Sequence, residues 1–297
     1  MPRQAARAGR ILFALGLLFG GVTTAVAEPQ RIVSAGGSVT EIVYALGAGD
    51  RLVGVDTTSL YPPAVHGLPN VGYLRTLSAE PVLSLAPDLI LAEADAGPPD
   101  ALTQLREAGV EIVMAPDEPD VEGVAAKIDT VAAALGRQDE GDALKQRIRT
   151  EWRTVEQAVA STQARPRVLF VLSTGAGAPL VAGLETSAAG IIAMAGGENA
   201  VQAFTGYRPL TPEAGVALAP DVILVTRRTL EMLGGEAGLL ETPGLGATPA
   251  AGKGRVIAMD ALLLLGFGPR VPEAAARLAK KLHPGIELPP GPWDEGA

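Results

Sequence analysis

The stretch Leu85-Ala86-Pro87-Asp88-Leu89-Ile90-Leu91 returns later in the chain as Leu218-Ala219-Pro220-Asp221-Val222-Ile223-Leu224. Asp88 becomes Asp221, which is an offset of 133 residues. The segments before the two stretches, residues 72–80 and 206–213, both begin with Gly-Tyr and both end in Ser or Thr, one further residue and Glu. We interpret each copy as a loop, a short capped helix, a turn and a buried strand. Because the chain contains this unit twice, it is predicted to have two similar halves.

Strand and helix patterns alternate over residues 31–115 and again over residues 166–283. In the first half, Ser38 or Thr40 is predicted to cap a helix over residues 41–46. Alternation of this kind is typical of parallel sheets covered by helices on both faces. Residues 142–162 contain neither Gly nor Pro and predict a helix roughly 30 Å long. The predicted fold is therefore α/β, with two Rossmann-like lobes, a long bridging helix and a ligand cleft between the lobes.

The amino terminus has the pattern of a secretory signal peptide. Three arginines (Arg3, Arg7 and Arg10) precede an apolar run that starts at Ile11, and Ala25-Val26-Ala27 forms a small-x-small cleavage site. No Cys follows the apolar run, so the sequence predicts a cleaved, unlipidated protein of the periplasm. The predicted organisation is a signal peptide (1–27), an N-terminal α/β lobe (28–137), a bridging helix (138–163), a C-terminal α/β lobe (164–283) and a flexible tail rich in Pro and Gly (284–297).

Composition excludes several classes of protein. The 297 residues carry a net charge of −9 and no Cys, with His only at positions 66 and 283. The acidic balance gives no indication of nucleic-acid binding. The lack of Cys excludes disulfides, thiolate metal sites and Cys nucleophiles. The motifs of serine esterases and zinc peptidases are missing as well, so we expect a binding protein rather than an enzyme.

Four stretches of the chain carry a family pattern. They are residues 72–80 with Gly-Tyr-x-Arg, the Leu-Ala-Pro-Asp turn, Ala195-Gly196-Gly197-Glu198-Asn199, and Leu265-Gly266-Phe267-Gly268-Pro269-Arg270. Together they resemble the periplasmic haem-binding proteins of bacterial ABC haem importers, over about residues 30–283. The turn and the Gly-Gly-x-Asn piece are shared with vitamin B12 and ferric-siderophore binding proteins, whereas Gly-Tyr-x-Arg is the more specific haem signal. The resemblance implies a class III periplasmic binding protein with little hinge motion.

Tyr73 is our predicted axial ligand to haem iron, with haem b as the transported ligand. Haem iron in proteins is held by His, Met, Cys or Tyr, and neither His of this chain lies in a promising context. A phenolate is a hard anionic donor suited to ferric iron, and both the iron charge and a nearby cation favour it. Arg75 is placed to be that cation, and the resemblance implies that it donates a hydrogen bond to the phenolate oxygen.

Tyr207 and Arg208 occupy the equivalent loop of the second half and are predicted to face the same cleft. Arg208, together with Arg228 or its neighbour Arg227, could neutralise the two haem propionates, because Arg forms bidentate hydrogen bonds with carboxylates. The second half before residue 283 contains no His to serve as a second ligand. The sixth position of the iron is therefore either open or taken by Tyr207, and we favour one five-coordinate haem with a single Tyr ligand.

Glu80 and Glu213 take matching positions at the start of a short helix in each half. A carboxylate there also stabilises the helix dipole. The resemblance implies that one surface Glu per lobe docks on an ABC permease dimer, whose ATPase subunits drive uptake, and that an outer-membrane haem receptor acts upstream. A pseudo-symmetric, monomeric carrier suits a two-fold partner.

Two other functions remain open at this stage. A vitamin B12 or ferric-siderophore carrier of the same fold is the main alternative, although aromatic residues make up only 4% of the chain. An exported α/β hydrolase is the other alternative, and it would need a nucleophile that no motif identifies. The segment 173–178 after a predicted strand is read as a hairpin or pocket wall and not as a nucleotide loop.

Overall fold

The computed structural model describes residues 28–174 and 178–294. In chain order its strands are β1 (Ile32–Ala35), β2 (Leu52–Val55), β3 (Leu89–Glu93), β4 (Glu111–Ala115), β5 (Arg167–Ser173), β6 (Leu180–Ala182), β7 (Glu198–Asn199), β8 (Tyr207–Pro209), β9 (Val222–Thr226) and β10 (Val256–Met259). The first lobe has a fully parallel sheet of order β2-β1-β3-β4. The second lobe has the order β10-β9-β5-β6-β8, in which β6 is antiparallel to β5 and β8, and β7 pairs with the start of β5.

Helices cover both sheets. They are α1 (Gly37–Ala45), α2 (Ala79–Leu83), α3 (Pro99–Glu107), α4 (Val121–Leu135), α5 (Gln138–Ala160), α6 (Ser187–Met194), α7 (Pro212–Leu218), α8 (Arg227–Met232), α9 (Glu236–Glu241), α10 (Pro249–Gly252), α11 (Ala261–Leu265) and α12 (Val271–Leu282). The two-lobe α/β fold predicted from the alternation of strands and helices is therefore present. The antiparallel pairing of β5 with β6 makes the predicted hairpin, although residues 175–177 lie outside the described part.

The long helix α5 joins the two lobes through a shared core. It contains 23 residues, or roughly 35 Å at 1.5 Å per residue. Its buried face packs on α4 of the first lobe and on α12 of the second. One hydrophobic cluster runs from Ile32 in β1 through Ile148 and Val155 in α5 to Leu278 in α12. Since this core is continuous, neither lobe can turn far about α5 without separating packed side chains.

The internal repeat extends to backbone detail. Ala86 and Ala219 both adopt φ 44, a left-handed conformation that is uncommon for a residue with a Cβ. Just after each, an Asp side chain accepts a hydrogen bond from a strand-start amide: Asp88 from Arg31 (3.1 Å) and Asp221 from Arg167 (3.0 Å). Each turn therefore ties the strand that follows it, β3 or β9, to the start of its parallel neighbour, β1 or β5. The two copies are alike in structure as well as in sequence.

The predicted cap of the first helix is wrong. Helix α1 begins at Gly37, so Ser38 and Thr40 lie inside it and neither caps it with its side chain. The Thr40 hydroxyl instead bonds to those of Ser34 and Ser59, at 2.7 Å each. Sequence reasoning misplaced the helix start because a buried polar network uses the same residue types as a cap.

The segment after α12 differs from the flexible tail that we predicted. Over residues 284–294 the chain returns to the core, where Trp293 is buried and its Nε1–H donates to the Pro289 carbonyl at 3.0 Å. Lys280 of α12 forms an ion pair with Asp294 at 2.5 Å. One aromatic side chain thus docks a segment whose composition favours a loose chain.

The predicted signal peptide over residues 1–27 lies outside the described residues. Within the described part, the structure has no helix of the length and apolarity needed to cross a membrane.

Candidate functional site

The loop that carries Tyr73 is held at the carboxyl end of β3. The Leu77 amide donates to the Gly97 carbonyl at 2.8 Å, and the Gly97 amide donates to the Leu74 carbonyl at 2.9 Å. Leu74 and Leu77 are buried, and a 3-10 turn over Leu74–Thr76 lies between them. Burial of these two anchors leaves the Tyr73 ring at the surface, where it is 37% exposed.

Arg75 connects Tyr73 to a carboxylate that the sequence did not reveal. The Arg75 Nη1 donates to the Tyr73 hydroxyl oxygen, which is the contact expected from the sequence. The other edge of the guanidinium is held by Asp95, which accepts a hydrogen bond from Nε at 2.7 Å and another from Nη2. Asp95 is 20 residues away from Arg75, just past the end of β3, so no local pattern pairs the two.

The direction of each hydrogen bond among Tyr73, Arg75 and Asp95 is fixed by the chemistry of the three groups. A guanidinium has five donors and no acceptor, so the Tyr73 oxygen must accept the bond from Arg75. A phenol oxygen that accepts one hydrogen bond keeps a second lone pair free. The arrangement therefore presents an exposed oxygen donor, and a Tyr oxygen is one of the ligands that haem iron accepts.

Tyr207 of the second lobe lies within the electrostatic reach of Arg75. Burial raises the pKa of Tyr207 above its ordinary value of 10.0, while bonds to Ala188 and Thr186 and the charge of Arg75 act in the opposite direction. Its hydroxyl is thus bound to the amino-terminal turn of α6. The two tyrosines therefore differ in environment: the Tyr207 side chain is largely buried, whereas Tyr73 is exposed and accepts a hydrogen bond from Arg75.

The predicted propionate partners lie in three different settings. Arg208 follows Tyr207 in β8, so the two side chains leave opposite faces of the strand, and Arg208 stacks over the Phe204 ring at 5.3 Å. Arg227 lines a surface groove with Lys280 and Lys281 of α12. Arg228 is exposed, and we find no ion-pair partner for it among the described residues. None of the three arginines forms an ion pair within residues 28–174 and 178–294, and of the three only Arg208 stacks on an aromatic ring there.

The two lobes are joined by an ion pair that the sequence did not predict. Arg270 of the second lobe donates to Glu41 of α1 through Nε (2.9 Å) and Nη2 (2.6 Å), and its guanidinium lies 3.8 Å from the centre of the Tyr61 ring. Glu41 and Arg270 are 229 residues apart. The pKa of Glu41 is raised by burial, which outweighs the lowering by Arg270.

A second buried network lies beside this ion pair. Lys127 of α4 is fully buried, and its Nζ donates to Asp117 at 2.7 Å and to Ser38 at 2.9 Å. Ser38 in turn donates to Glu93 at 2.5 Å, at the end of β3. Burial raises the pKa of Glu93, while Lys127 and Ser38 act to lower it. These bonds satisfy charged groups at the wall between the lobes, which stiffens the frame that carries the two tyrosine loops.

Glu80 and Glu213 are exposed, in the first turns of α2 and α7. Thr211 caps α7 by accepting from the Ala214 amide at 3.3 Å, whereas Ser78 at the same position of α2 makes no side-chain cap bond. Neither carboxylate has an ion-pair partner over residues 28–174 and 178–294. Both acids are therefore available to an external cation.

Two grooves on the surface lie apart from the tyrosine loops. One of about 790 Å³ runs along α4 and α5 and is lined by residues such as Lys145, Arg149 and Trp152. The other, of about 540 Å³, is the groove beside α12. Neither contains Tyr73 or Tyr207.

Comparison with known proteins gives four informative matches. Residues 32–263 match the family described as periplasmic binding protein. The solved structure of BhuT, a periplasmic haem-binding protein in complex with two haems, is 49% identical with a TM-score of 0.81, covering 85% of this chain and 97% of BhuT. YvrC of Bacillus subtilis, an uncharacterised ABC transporter substrate-binding lipoprotein, is 31% identical over 86% of this chain and 81% of its own length. A cobalamin-binding protein of Halobacterium salinarum is 30% identical over 86% of this chain and 70% of its own length.

Proposed function

The chain belongs to the periplasmic binding protein family, and we propose that it binds haem in the cleft between its lobes and delivers it to an inner-membrane ABC importer. The observation that carries this proposal is the exposed Tyr73 oxygen held by Arg75, which is in turn held by Asp95. The 49% identity to BhuT, a haem-binding protein, supports the choice of ligand. The protein acts as a carrier without catalysis.

In this proposal Tyr73 supplies the axial oxygen to ferric haem. Arg75 stabilises the negative charge on that oxygen, and Asp95 keeps the guanidinium turned toward it. Tyr207 forms part of the opposite wall of the cleft, since its raised pKa and its bonds to α6 make it a poor anionic ligand. Arg228 is the proposed partner of one propionate. Arg208 is the proposed partner of the other, although it leaves the face of β8 opposite to Tyr207 and must leave the Phe204 ring and turn toward the cleft to reach it. A single Tyr ligand leaves one haem five-coordinate.

The number of haems bound per protein molecule is the next question. BhuT is described in complex with two haems, so a second haem stacked on the first is a specific alternative to our one-haem proposal. Of the two tyrosines that are exposed in the described part of the chain, Tyr61 and Tyr73, only Tyr73 has its hydroxyl held by an Arg, which favours one directly ligated iron. Titration of the mature protein with haemin gives the stoichiometry from the break in the absorbance curve.

We further propose that the protein works in the periplasm after cleavage of residues 1–27. It would receive haem downstream of an outer-membrane receptor and act as a monomer. Glu80 and Glu213 would then contact one permease subunit each, and the ATPase subunits would drive release. Relatedness to an ABC transporter substrate-binding protein supports this placement.

The decisive experiment is haemin titration of Tyr73→Phe beside Tyr207→Phe. Both variants remove one hydroxyl and keep the ring, so they are matched in size. We expect Tyr73→Phe to lose the phenolate-to-iron charge-transfer absorption and at least tenfold in affinity, and Tyr207→Phe to keep the absorption. The assignment of Tyr73 is wrong if its variant keeps the wild-type spectrum.

Cobalamin is a second candidate ligand, because a cobalamin-binding protein matches the chain over 86% of its length. Isothermal titration of the same protein with cyanocobalamin separates the two ligands. Tight cobalamin binding, together with haemin binding that does not depend on Tyr73, would favour this second function over the first.

A further inference from the structure

The two short helices that carry Glu80 and Glu213 share a second feature. Leu83 in α2 is 36% exposed and Val216 in α7 is 44% exposed. The repeat offset of 133 residues relates these two positions, as it relates Glu80 to Glu213. Among the large hydrophobic side chains exposed in the described residues, only these two are related by that offset.

Each aliphatic residue lies on the same helix face as its acid. Leu83 follows Glu80 by three residues and Val216 follows Glu213 by three, and side chains at this spacing are neighbours on a helix surface. The residue just before each aliphatic one, Val82 in α2 and Gly215 in α7, is buried, so the matching positions of the two helices face the protein interior. Each lobe therefore presents the same pair, a carboxylate next to a branched aliphatic side chain, to the outside.

The repeated pair is not required by the fold of either helix. A core role would bury the aliphatic side chain, as it does for Val82. A polar residue at either position would avoid exposing apolar side-chain surface to water. The same exposure in two halves that otherwise differ in many surface residues therefore points to a contact made twice, once by each lobe.

We propose that Leu83 and Val216 are the apolar halves of two equivalent docking points on a two-fold symmetric permease dimer. This inference rests on the proposed docking role of Glu80 and Glu213. Each permease subunit would present a cation for the Glu and an apolar recess for the neighbouring aliphatic group. A second copy of this chain fits poorly, because it would bring like carboxylates together in a protein of net charge −9.

The test uses the purified haem permease–ATPase complex of the same organism, reconstituted in lipid nanodiscs and immobilised on a biosensor. The analytes are haemin-loaded wild-type protein and the variants Leu83→Ser, Val216→Ser and their double variant. We expect each single substitution to weaken binding about fivefold and the double about 25-fold, since distant sites add. Met232→Ser is the matched control, because Met232 is 67% exposed and has no counterpart in the repeat, and it should bind like wild type.

Three further measurements separate this inference from the proposed haem binding, from acidic docking and from self-association. Haemin titration should be unchanged in all four variants, so a changed haemin affinity would overturn a role confined to docking. Glu80→Gln and Glu213→Gln are run in parallel. If they weaken binding while Leu83→Ser and Val216→Ser do not, the apolar contact is refuted and acidic docking stands. If neither set weakens binding, both are refuted. A wild-type dimer in light scattering that Leu83→Ser dissociates would replace the permease by a second copy of the chain.

Discussion

Replacement of Arg270 by Ala should show how much the ion pair between the lobes contributes to stability. The substitution removes both donors from Glu41, whose side chain is only 5% exposed, and leaves a buried carboxylate without its cation. Removal of one partner from a buried pair costs about 3–5 kcal/mol. Because the Arg270 side chain is 22% exposed and water can partly replace it, we expect the lower end, about 3 kcal/mol, with the lost stacking on Tyr61 included.

The matched control for this prediction is Arg149→Ala. Arg149 also holds a carboxylate with two hydrogen bonds, from Nε (3.3 Å) and Nη2 (2.6 Å) to Glu122, but the side chains of this pair are 48% and 72% exposed. An exposed pair contributes about 1 kcal/mol or less. Urea unfolding followed by circular dichroism measures both variants. Equal losses in the two would refute the argument that burial sets the value of the Glu41 pair.

The pH dependence of the Arg270→Ala variant gives a second, independent check. Burial raises the pKa of Glu41 from 4.5, with Glu273 and Asp260 adding to the increase, and removal of Arg270 takes away the opposing effect. When the pKa of Glu41 is higher in the folded than in the unfolded protein, its effect on stability is most favourable below the unfolded pKa. That favourable effect is lost as the pH rises through the folded pKa. The deficit against wild type should therefore be larger at pH 8 than at pH 5, and a constant deficit would contradict this mechanism.

Three further predictions concern other parts of the chain. Asp95→Asn should weaken haemin binding about fivefold, because it releases Arg75, and Asp95→Glu should restore most of the lost affinity. The free energy of unfolding should change by less than about 1 kcal/mol, since the ion pair is exposed. An unchanged haemin titration in Asp95→Asn would remove Asp95 from the site. Ala219→Gly should stabilise the fold by about 1 kcal/mol, because φ 44 strains a residue with a Cβ. The control Ala217→Gly, inside α7, should destabilise the fold by a similar amount. The urea midpoints of the two variants should therefore shift from the wild-type midpoint in opposite directions, and shifts in the same direction would contradict the argument. His283 has a pKa lowered by burial from 6.5, so its contribution to stability is present above pH 6.5 and is lost on acidification; thermal melts of His283→Gln should show a smaller decrease from pH 7.5 to 5.5, and identical slopes would contradict this.

Contacts between residues close in the chain were predictable from sequence. The Arg75 bond to Tyr73 spans two residues, so the loop alone brings the groups together. The Leu-Ala-Pro-Asp turn combines a helix stop with a strand start in consecutive residues, and its repetition revealed two lobes. Periodic burial in α5 marked the bridging helix, because Leu144, Ile148, Val155 and Val159 recur at helical spacing.

The contacts that complete the site join residues far apart in the chain, and tertiary structure alone decided them. Asp95 meets Arg75 only because the loop after β3 returns beside the tyrosine loop, and Arg270 meets Glu41 only because α12 and α1 meet across a shared core. A single charged residue has no periodicity that marks its partner, so such pairs leave no trace in one sequence. For the same reason the docking of Trp293 was missed: its burial depends on a surface of α12 that exists only after the lobes have folded. Local patterns thus determined the architecture and the bond between Tyr73 and Arg75, while the partners of the charged side chains, exposed in Asp95 and buried in Glu41, follow from long-range packing.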